Sequence, residues 1–367
     1  MFSDNLIGNE FVCSLCRYLL IVTLLLNAKS VFRYYPNGKK SGTGFIFLFV
    51  VMMVYCVYYC PSAGDNYGSM ASYYSYLEGA DWERLHFERV YFSLMDIAPW
   101  GYVYYRYLVW GTACLLCVWL FKRMRINSSI ATVSVLTFAL PILLYYQRAA
   151  FAYVLLYVSL WCFLTKGEFF ESIPFLKKNY RVASALMLFS CTFFHTSMPV
   201  YVLFLLVSVF VPKNTKSLVL LAIALGVFSI AMVSNSIYFL TFFSEDTIET
   251  GMRSLEVRNV MIGQNFNGML GDFLHALPIR VMAIYSVYVM LMRPEHHSQF
   301  EKACLINTCI LLLISAMFSS FSITIQDKFF NAAMMPWTLY IASYYNRNVG
   351  SKVCTYYAIA TVFTFFI

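Results

Sequence analysis

The sequence predicts an all-α, polytopic integral membrane protein, and three observations carry that prediction. The first is composition. Hydrophobic residues make up 60% of the chain and charged residues 12%, with a mean hydropathy of +0.67. A soluble domain runs at about 45–50% apolar and about 25% charged. Folded in water, this chain would expose more apolar surface than water tolerates. The second is segmentation into about twelve apolar runs. The third is aromatic content, 29 Tyr, 34 Phe and 6 Trp. Tyr and Trp suit membrane interfaces, where the ring lies among acyl chains and the polar tip stays wet. One transmembrane helical domain over residues 1–367 fits better than two soluble domains.

The runs lie at Phe11–Phe32, Gly44–Cys60, Gly101–Phe121, Ile130–Tyr146, Ala149–Thr165, Val182–Phe194, Met198–Val211, Ser217–Phe243, Leu274–Met292, Ala303–Phe321, Phe329–Ser343 and Val353–Ile367. Several fall short of the roughly 20 residues that a straight crossing needs. The pair flanking His195-Thr196-Ser197 is the clearest case, since thirteen helical residues reach only about 20 Å. Residues 182–211 therefore read either as one long tilted helix or as a helical hairpin. Pro199, just after the polar triplet, favours a break.

Charge separates the two readings. With every run a crossing, one side collects Lys29, Arg33, Lys39, Lys40, Lys122, Arg123, Arg125, Lys166, Lys177, Lys178, Arg181, Lys213, Lys216, Arg293, Lys302, Arg347 and Lys352. Only Glu168, Glu171, Glu295 and Glu301 accompany them. Cytoplasmic loops carry the excess of Lys and Arg, so this side is expected inside. The alternation survives only if His195 tops a hairpin; one continuous helix would invert every later loop. The opposite face then carries two elaborated loops, residues 61–100 and 244–273. Function concentrates where loops are elaborated over a rigid scaffold.

Other classes fit less well. The net charge of +8 is scattered between apolar runs and forms no phosphate-binding patch, so nucleic acid is not expected as a partner. Cys13-x-x-Cys16 and Cys114-x-x-Cys117 have redox-like or zinc-like spacing, but neither has a companion pair at metal-site separation. Cysteine as a small buried hydrophobe is the better reading, and no metal site is expected. Asp4 and Glu10 replace the basic n-region of a cleavable signal peptide. His-Glu-x-x-His, Walker and Ser-centred elbow motifs are absent, as are fixed-period repeats.

Chemistry points to ionisable groups at the outer ends of the runs. Arg148 opens a run in Tyr145-Tyr146-Gln147-Arg148-Ala149-Ala150. Arg106 and Arg280 lie one to two turns inside their runs, Arg280 just after Pro278, and Arg17 lies within the first run. Guanidinium at membrane depth is costly unless it faces a cavity or a partner. Its fork suits phosphate. A snorkelling or ion-paired structural role is the alternative for each. That alternative is favoured for Arg106 and Arg17, is even with function for Arg280, and is disfavoured for Arg148, which Gln147 and two tyrosines accompany.

His195 alone among the five histidines sits between two apolar runs on the outer face. It can accept a proton from a hydroxyl, with Thr196 and Ser197 to orient it, or serve as a satisfied structural residue at a hairpin tip. His296-His297 read as a solvated loop. Asp65 and Tyr67 begin a tyrosine-rich stretch after the second run. Aromatics with carboxylates suit sugar recognition and equally describe an ordinary interfacial helix.

In order and spacing these residues resemble the Wzy/EpsG family of oligosaccharide repeat-unit polymerases. The resemblance rests on Asp65 and Tyr67 after the second run, a long outer loop, Gln147-Arg148 with Phe151-Ala152 behind it, and Phe193-Phe194-His195-Thr196-Ser197 some 47 residues later. It spans about residues 40–345, and its specific part is Gln147 to Val200. One departure is Gln326-Asp327-Lys328-Phe329, where the family leads one to expect an arginine; Lys328 supplies a point charge without the bidentate fork.

The resemblance implies a fold like GT-C-type membrane glycosyltransferases and a location in the bacterial inner membrane, with the active site facing the periplasm or exterior. It implies transfer of a growing glycan from undecaprenyl diphosphate to a lipid-linked repeat unit, with no metal, nucleotide or other cofactor. A chain-length regulator and a flippase of the same pathway are the partners it implies, besides the lipid-linked oligosaccharide and the bilayer. Arg148 and Arg280 then address the diphosphate, with Arg106 and Lys328 in support. His195 is base or orienting group, and Asp65, Tyr67 and Gln147 contact the sugars or their carriers. The alternatives are another lipid-linked glycosyltransferase, an O-antigen ligase, or a polysaccharide flippase or exporter. A transporter would line its midplane with charge and show pseudo-symmetry.

Overall fold

Long apolar runs with few breakers fold as helices, because a chain away from water must satisfy every backbone N–H and C=O internally. In a computed structural model, residue 7 and residues 9–32, 42–58, 65–79, 89–139, 147–195, 197–210, 214–231, 266–318 and 323–347 are described. Among them all regular structure is helical, with no strand. In chain order the helices are α1 Glu10–Phe32, α2 Gly42–Tyr58, α3 Asp65–Leu77, α4 Arg89–Ile97, α5 Tyr102–Arg123 and α6 Ser128–Ser134. They continue as α7 Gln147–Leu164, α8 Pro174–Lys178, α9 Tyr180–Cys191 and α10 Met198–Phe210. The remainder are α11 Thr215–Ala231, α12 Phe266–Met292, α13 Gln299–Phe318 and α14 Ile323–Arg347.

By length and apolarity, three described stretches suffice to cross a membrane: Glu10–Ala28, Tyr102–Arg123 and Gln299–Met317. Shorter apolar helices accompany them, among them Ala149–Leu164, Tyr180–Cys191 and Met198–Phe210. Large apolar side chains are exposed along these helices: Leu15, Val22 and Leu26 on α1, Val182, Leu186 and Phe189 on α9, Leu203 and Phe210 on α10. Surfaces of that kind suit hydrocarbon rather than water. The run at Val353–Ile367 and most of the loop at 244–273 lie outside the described residues.

Residues 61–100, between the second and third apolar runs, contain α3 and α4. The described part of α12 begins at Phe266, eight residues before the apolar run at Leu274.

The chain divides into two compact units. The first comprises Met1–Leu206 with Thr338–Gly350. There α2 packs along α5, and α5 and α9 both pack along α7. Asn127 caps α6 by accepting from the Ser129 N–H at 2.9 Å. Its own N–H donates to Asn346 Oδ1 at 2.9 Å, and Asn346 Nδ2 donates to the Arg125 carbonyl at 3.2 Å. That clamp fastens the α5–α6 turn, where Arg125 takes a positive φ of 57°, to the last turn of α14. After α6 the helix widens to a buried π turn at Val135–Ala139.

In the second unit, Val207–Trp337 with Ser351–Ile367, α11 packs against α12 and α13, and α12 against α13. Ser298-x-x-Glu301 forms a capping box: Ser298 N–H donates to Glu301 Oε2 at 2.8 Å and Glu301 N–H donates to Ser298 Oγ at 3.2 Å.

The turn after α7 depends on one glycine. Gly167 has φ +83°, and a Cβ there would lie 2.8 Å from Tyr180 Cβ and 2.9 Å from the Lys177 carbonyl oxygen. Neither neighbour is the far end of a flexible side chain. Gly167→Ala is therefore expected to destabilise the protein by at least the about 1–3 kcal/mol of a strained left-handed residue. A lowered thermal midpoint of detergent-purified protein would register it.

Candidate functional site

The polar triplet interrupts the helix as the hairpin reading requires: α9 ends at Cys191, and α10 starts at Met198. Pro199 occupies the first turn of α10, where its missing N–H removes no helical bond. Side-chain ties fix the directions. On α7 and α9, Cys191 Sγ donates to the Ala152 carbonyl at 3.4 Å, and Ser159 Oγ contacts Ser184 while donating to its carbonyl at 2.8 Å. The two helices are thus antiparallel. The Tyr201 ring lies 5.1 Å from the Tyr153 ring. Ten further residues along an unbroken helix would carry Tyr201 about 15 Å beyond Cys191, out of reach of Tyr153. The chain reverses at His195.

The reversal gives the first unit two chemically different ends. Lys166 follows α7, Lys177, Lys178 and Arg181 precede or begin α9, and Lys122, Arg123 and Arg125 close α5. Arg123 Nη1 bonds Glu171 Oε2 at 3.2 Å and its Nη2 bonds Ser172 Oγ at 2.8 Å. The Trp119 and Phe169 rings pack at 4.6 Å. So α5 and α7 close at one basic end, which also receives Asn346 and Arg347. Running back from there, both helices start at the other end, where Phe151 packs on Phe194 at 4.8 Å beside His195.

Gln147 and Arg148 are the first two residues of α7, as expected from the motif, and so lie at the His195 end. On α5, Arg106 stands in the second turn, about 20 Å back from Trp119. It is 1% exposed, and its guanidinium carbon lies 4.0 Å from the Trp110 ring centroid and 5.5 Å from that of Tyr102. Tyr102, Arg106 and Trp110 are spaced by four, which stacks them on one helix face. That spacing was readable in the sequence. It makes Arg106 a cation held on aromatic faces.

Helix α3, which Asp65 begins and which carries Tyr67, is fastened to the same end. The fully buried Tyr73 donates its hydroxyl to the Ala98 carbonyl at 2.6 Å and accepts from the Gly101 N–H at 3.2 Å. Its ring stacks on Tyr105 at 5.4 Å and tilts against Tyr102 at 5.6 Å. Gly101, with φ +143°, supplies a backbone angle that other residues avoid. One turn on, the Tyr76 hydroxyl donates to Asp96 at 3.1 Å. Burial, and then the Asp96 carboxylate, push the Tyr76 phenol above its ordinary pKa.

His195 is half-buried and locally bonded. Its Nδ1 lies 2.7 Å from Ser197 Oγ and accepts the Ser197 backbone N–H at 3.1 Å. Of the remaining candidates, Arg17 lies on the exposed side of α1. Arg280 and Lys328 belong to the second unit. Arg280 is fully buried; it stands one to two turns inside its apolar run and near the middle of the 27-residue α12, which starts earlier than that run. It lies on the buried stripe Ala276, Ile279, Ala283 and Val287. Lys328 lies inside α14, whose first residue is Ile323, rather than ahead of the helix. Gln326 beside it is buried, and its carbonyl accepts from Ser315 Oγ at 3.1 Å. His297 is buried rather than solvated, at 5% exposure, with Nδ1 3.2 Å from the Arg293 carbonyl oxygen.

Cys13, Cys16, Cys114, Cys117, Cys162, Cys191, Cys304 and Cys309 are buried and outside any disulfide. No group of three or more His, Cys, Asp or Glu residues among the described residues would hold a metal ion. No family model, curated protein or solved structure matches the chain.

Proposed function

We propose that the chain is a polytopic membrane glycosyltransferase that polymerises lipid-linked oligosaccharide repeat units, working at the face where α5 and α7 begin. One observation carries this reading. The reversal at His195 brings that histidine to the helix end that Gln147 and Arg148 open, away from the cluster Lys122, Arg123, Lys166, Lys177 and Lys178. A multi-pass protein keeps such a basic end in the cytoplasm. The reactive end then faces the periplasm or exterior, where lipid-linked glycans are joined. The reading takes the runs as about twelve crossings of the inner membrane in a GT-C-like arrangement.

The chemistry is a substitution at the anomeric carbon. An acceptor hydroxyl of the incoming repeat unit forms the new C–O bond, the bond from that carbon to the diphosphate breaks, and undecaprenyl diphosphate leaves with the bonding pair. The hydroxyl proton passes to a base. Leaving-group charge is best stabilised by preorganised cations, a task for Arg148. Arg106 is held too firmly against Trp110 and Tyr102 to be a first choice for that task, and it supports the site from behind. Asp65 and Tyr67, on a helix fastened by Tyr73, suit sugar hydroxyls.

Purified protein incubated with a lipid-linked repeat unit alone tests the proposal. A polymerase makes a ladder of products without a second acceptor. A ligase or another lipid-linked transferase makes none, and that outcome would refute the assignment.

A further inference from the structure

The bonds at the hairpin tip decide which way the His195 imidazole works. A backbone N–H can only donate, and the Ser197 N–H is directed at Nδ1 at 3.1 Å. Nδ1 must therefore carry the lone pair. In the neutral ring the proton then resides on Nε2. A second donor is available to the same lone pair, since Ser197 Oγ lies 2.7 Å from Nδ1. A proton placed on Nδ1 would confront the Ser197 N–H directly. The motif is local and needs no distant partner: residue 197 closes a turn onto the side chain two residues earlier, immediately before α10.

From this we propose that His195 presents a hydrogen-bond donor, Nε2–H, to an anionic oxygen of the lipid-linked diphosphate, and is not the base that deprotonates the acceptor. The inference rests on the polymerase reading and deepens it by assigning this residue's role. The lone pair that a base requires is already occupied by Ser197, whereas the Nε2 proton points away from that turn. Removal of the acceptor's proton then falls to a carboxylate, and Asp65 is the candidate. Ser197 becomes the positioning residue that fixes the tautomer, through a backbone group that Ser197→Ala leaves intact.

Three substitutions at one position separate the possibilities. In His195→Gln the amide nitrogen takes the place of Nε2 and keeps the donor, but the acceptor for Ser197 is lost. In His195→Asn the side-chain oxygen takes the place of Nδ1 and keeps the turn, but the Nε2 donor is lost. His195→Ala loses both. Chain growth from purified protein and a lipid-linked repeat unit should fall about 10–100-fold in the Asn and Ala variants, as for one hydrogen bond to a charged group, with Gln within about tenfold of wild type. A general base would make all three comparably dead, by about 10²–10⁴-fold. A purely structural turn would leave Asn active. Either pattern overturns the proposal, as does an active Ala variant.

A second measurement does not depend on activity. Nitrogen-15 spectra of histidine-labelled protein, with the His195 signal assigned by its loss in His195→Gln, should show Nε2 protonated and Nδ1 bare. Protonated Nδ1 would refute the inference. Failure of the wild-type protein to make ladders would instead refute the polymerase reading, and the two failures are thus distinct.

Discussion

Arg148→Ala is expected to abolish long-chain product while leaving single-unit product, a loss of about 10²–10³-fold in chain growth if the side chain stabilises the departing diphosphate. The expectation follows from its place. Arg148 is the second residue of α7, at the end where the chain reverses through His195. Arg148→Lys restores the charge but not the fork, and should recover part of the activity. Gel separation of surface polymer from cells complemented with each variant reads the result. Normal ladders from Arg148→Ala would remove the residue from the site.

Tyr73→Ala should be the most damaging change outside the apolar helices. The side chain is fully buried, ties the end of α4 to the start of α5 through two hydrogen bonds, and packs on two further tyrosines. Truncating a buried aromatic costs about 3–5 kcal/mol. Tyr73→Phe keeps the ring packing and strands the Ala98 carbonyl and the Gly101 N–H, for about 1–3 kcal/mol. Thermal unfolding in detergent should rank wild type above Phe and Phe above Ala. Since α3 also carries Asp65 and Tyr67, the Ala variant should lose activity with its fold. Equal midpoints for all three would show that α3 is not fastened through this residue.

The apolar helices were legible because their burial pattern is written in unbroken hydrophobic runs, and α1, α5, α7 and α13 begin and end within a few residues of them. The break at His195 was legible through its polar triplet and Pro199. What the runs could not show was helix formed by other means. The α3 segment is rich in Tyr and Ser, and its signals are the Asp65 start and Gly79 beyond its end, with φ +86°. An apolar-run reading passes over both.

At the site, residue type and order carried Gln147, Arg148 and His195 to one end, but partner geometry was out of reach. The Nδ1 bond depends on the backbone direction of Ser197, which composition does not encode. Arg280 likewise lies near the start of the apolar run at Leu274 but near the middle of α12, whose described part starts at Phe266.

The proposed function requires His195 and the lysines before α9 to lie on opposite sides of a membrane. Single cysteines at Lys178 and at Phe193 in intact cells, probed with a membrane-impermeant maleimide, test this most directly. Phe193→Cys should label from outside, and Lys178→Cys only after the cells are opened. Labelling of both from the same side, or of Lys178→Cys alone from outside, would contradict it.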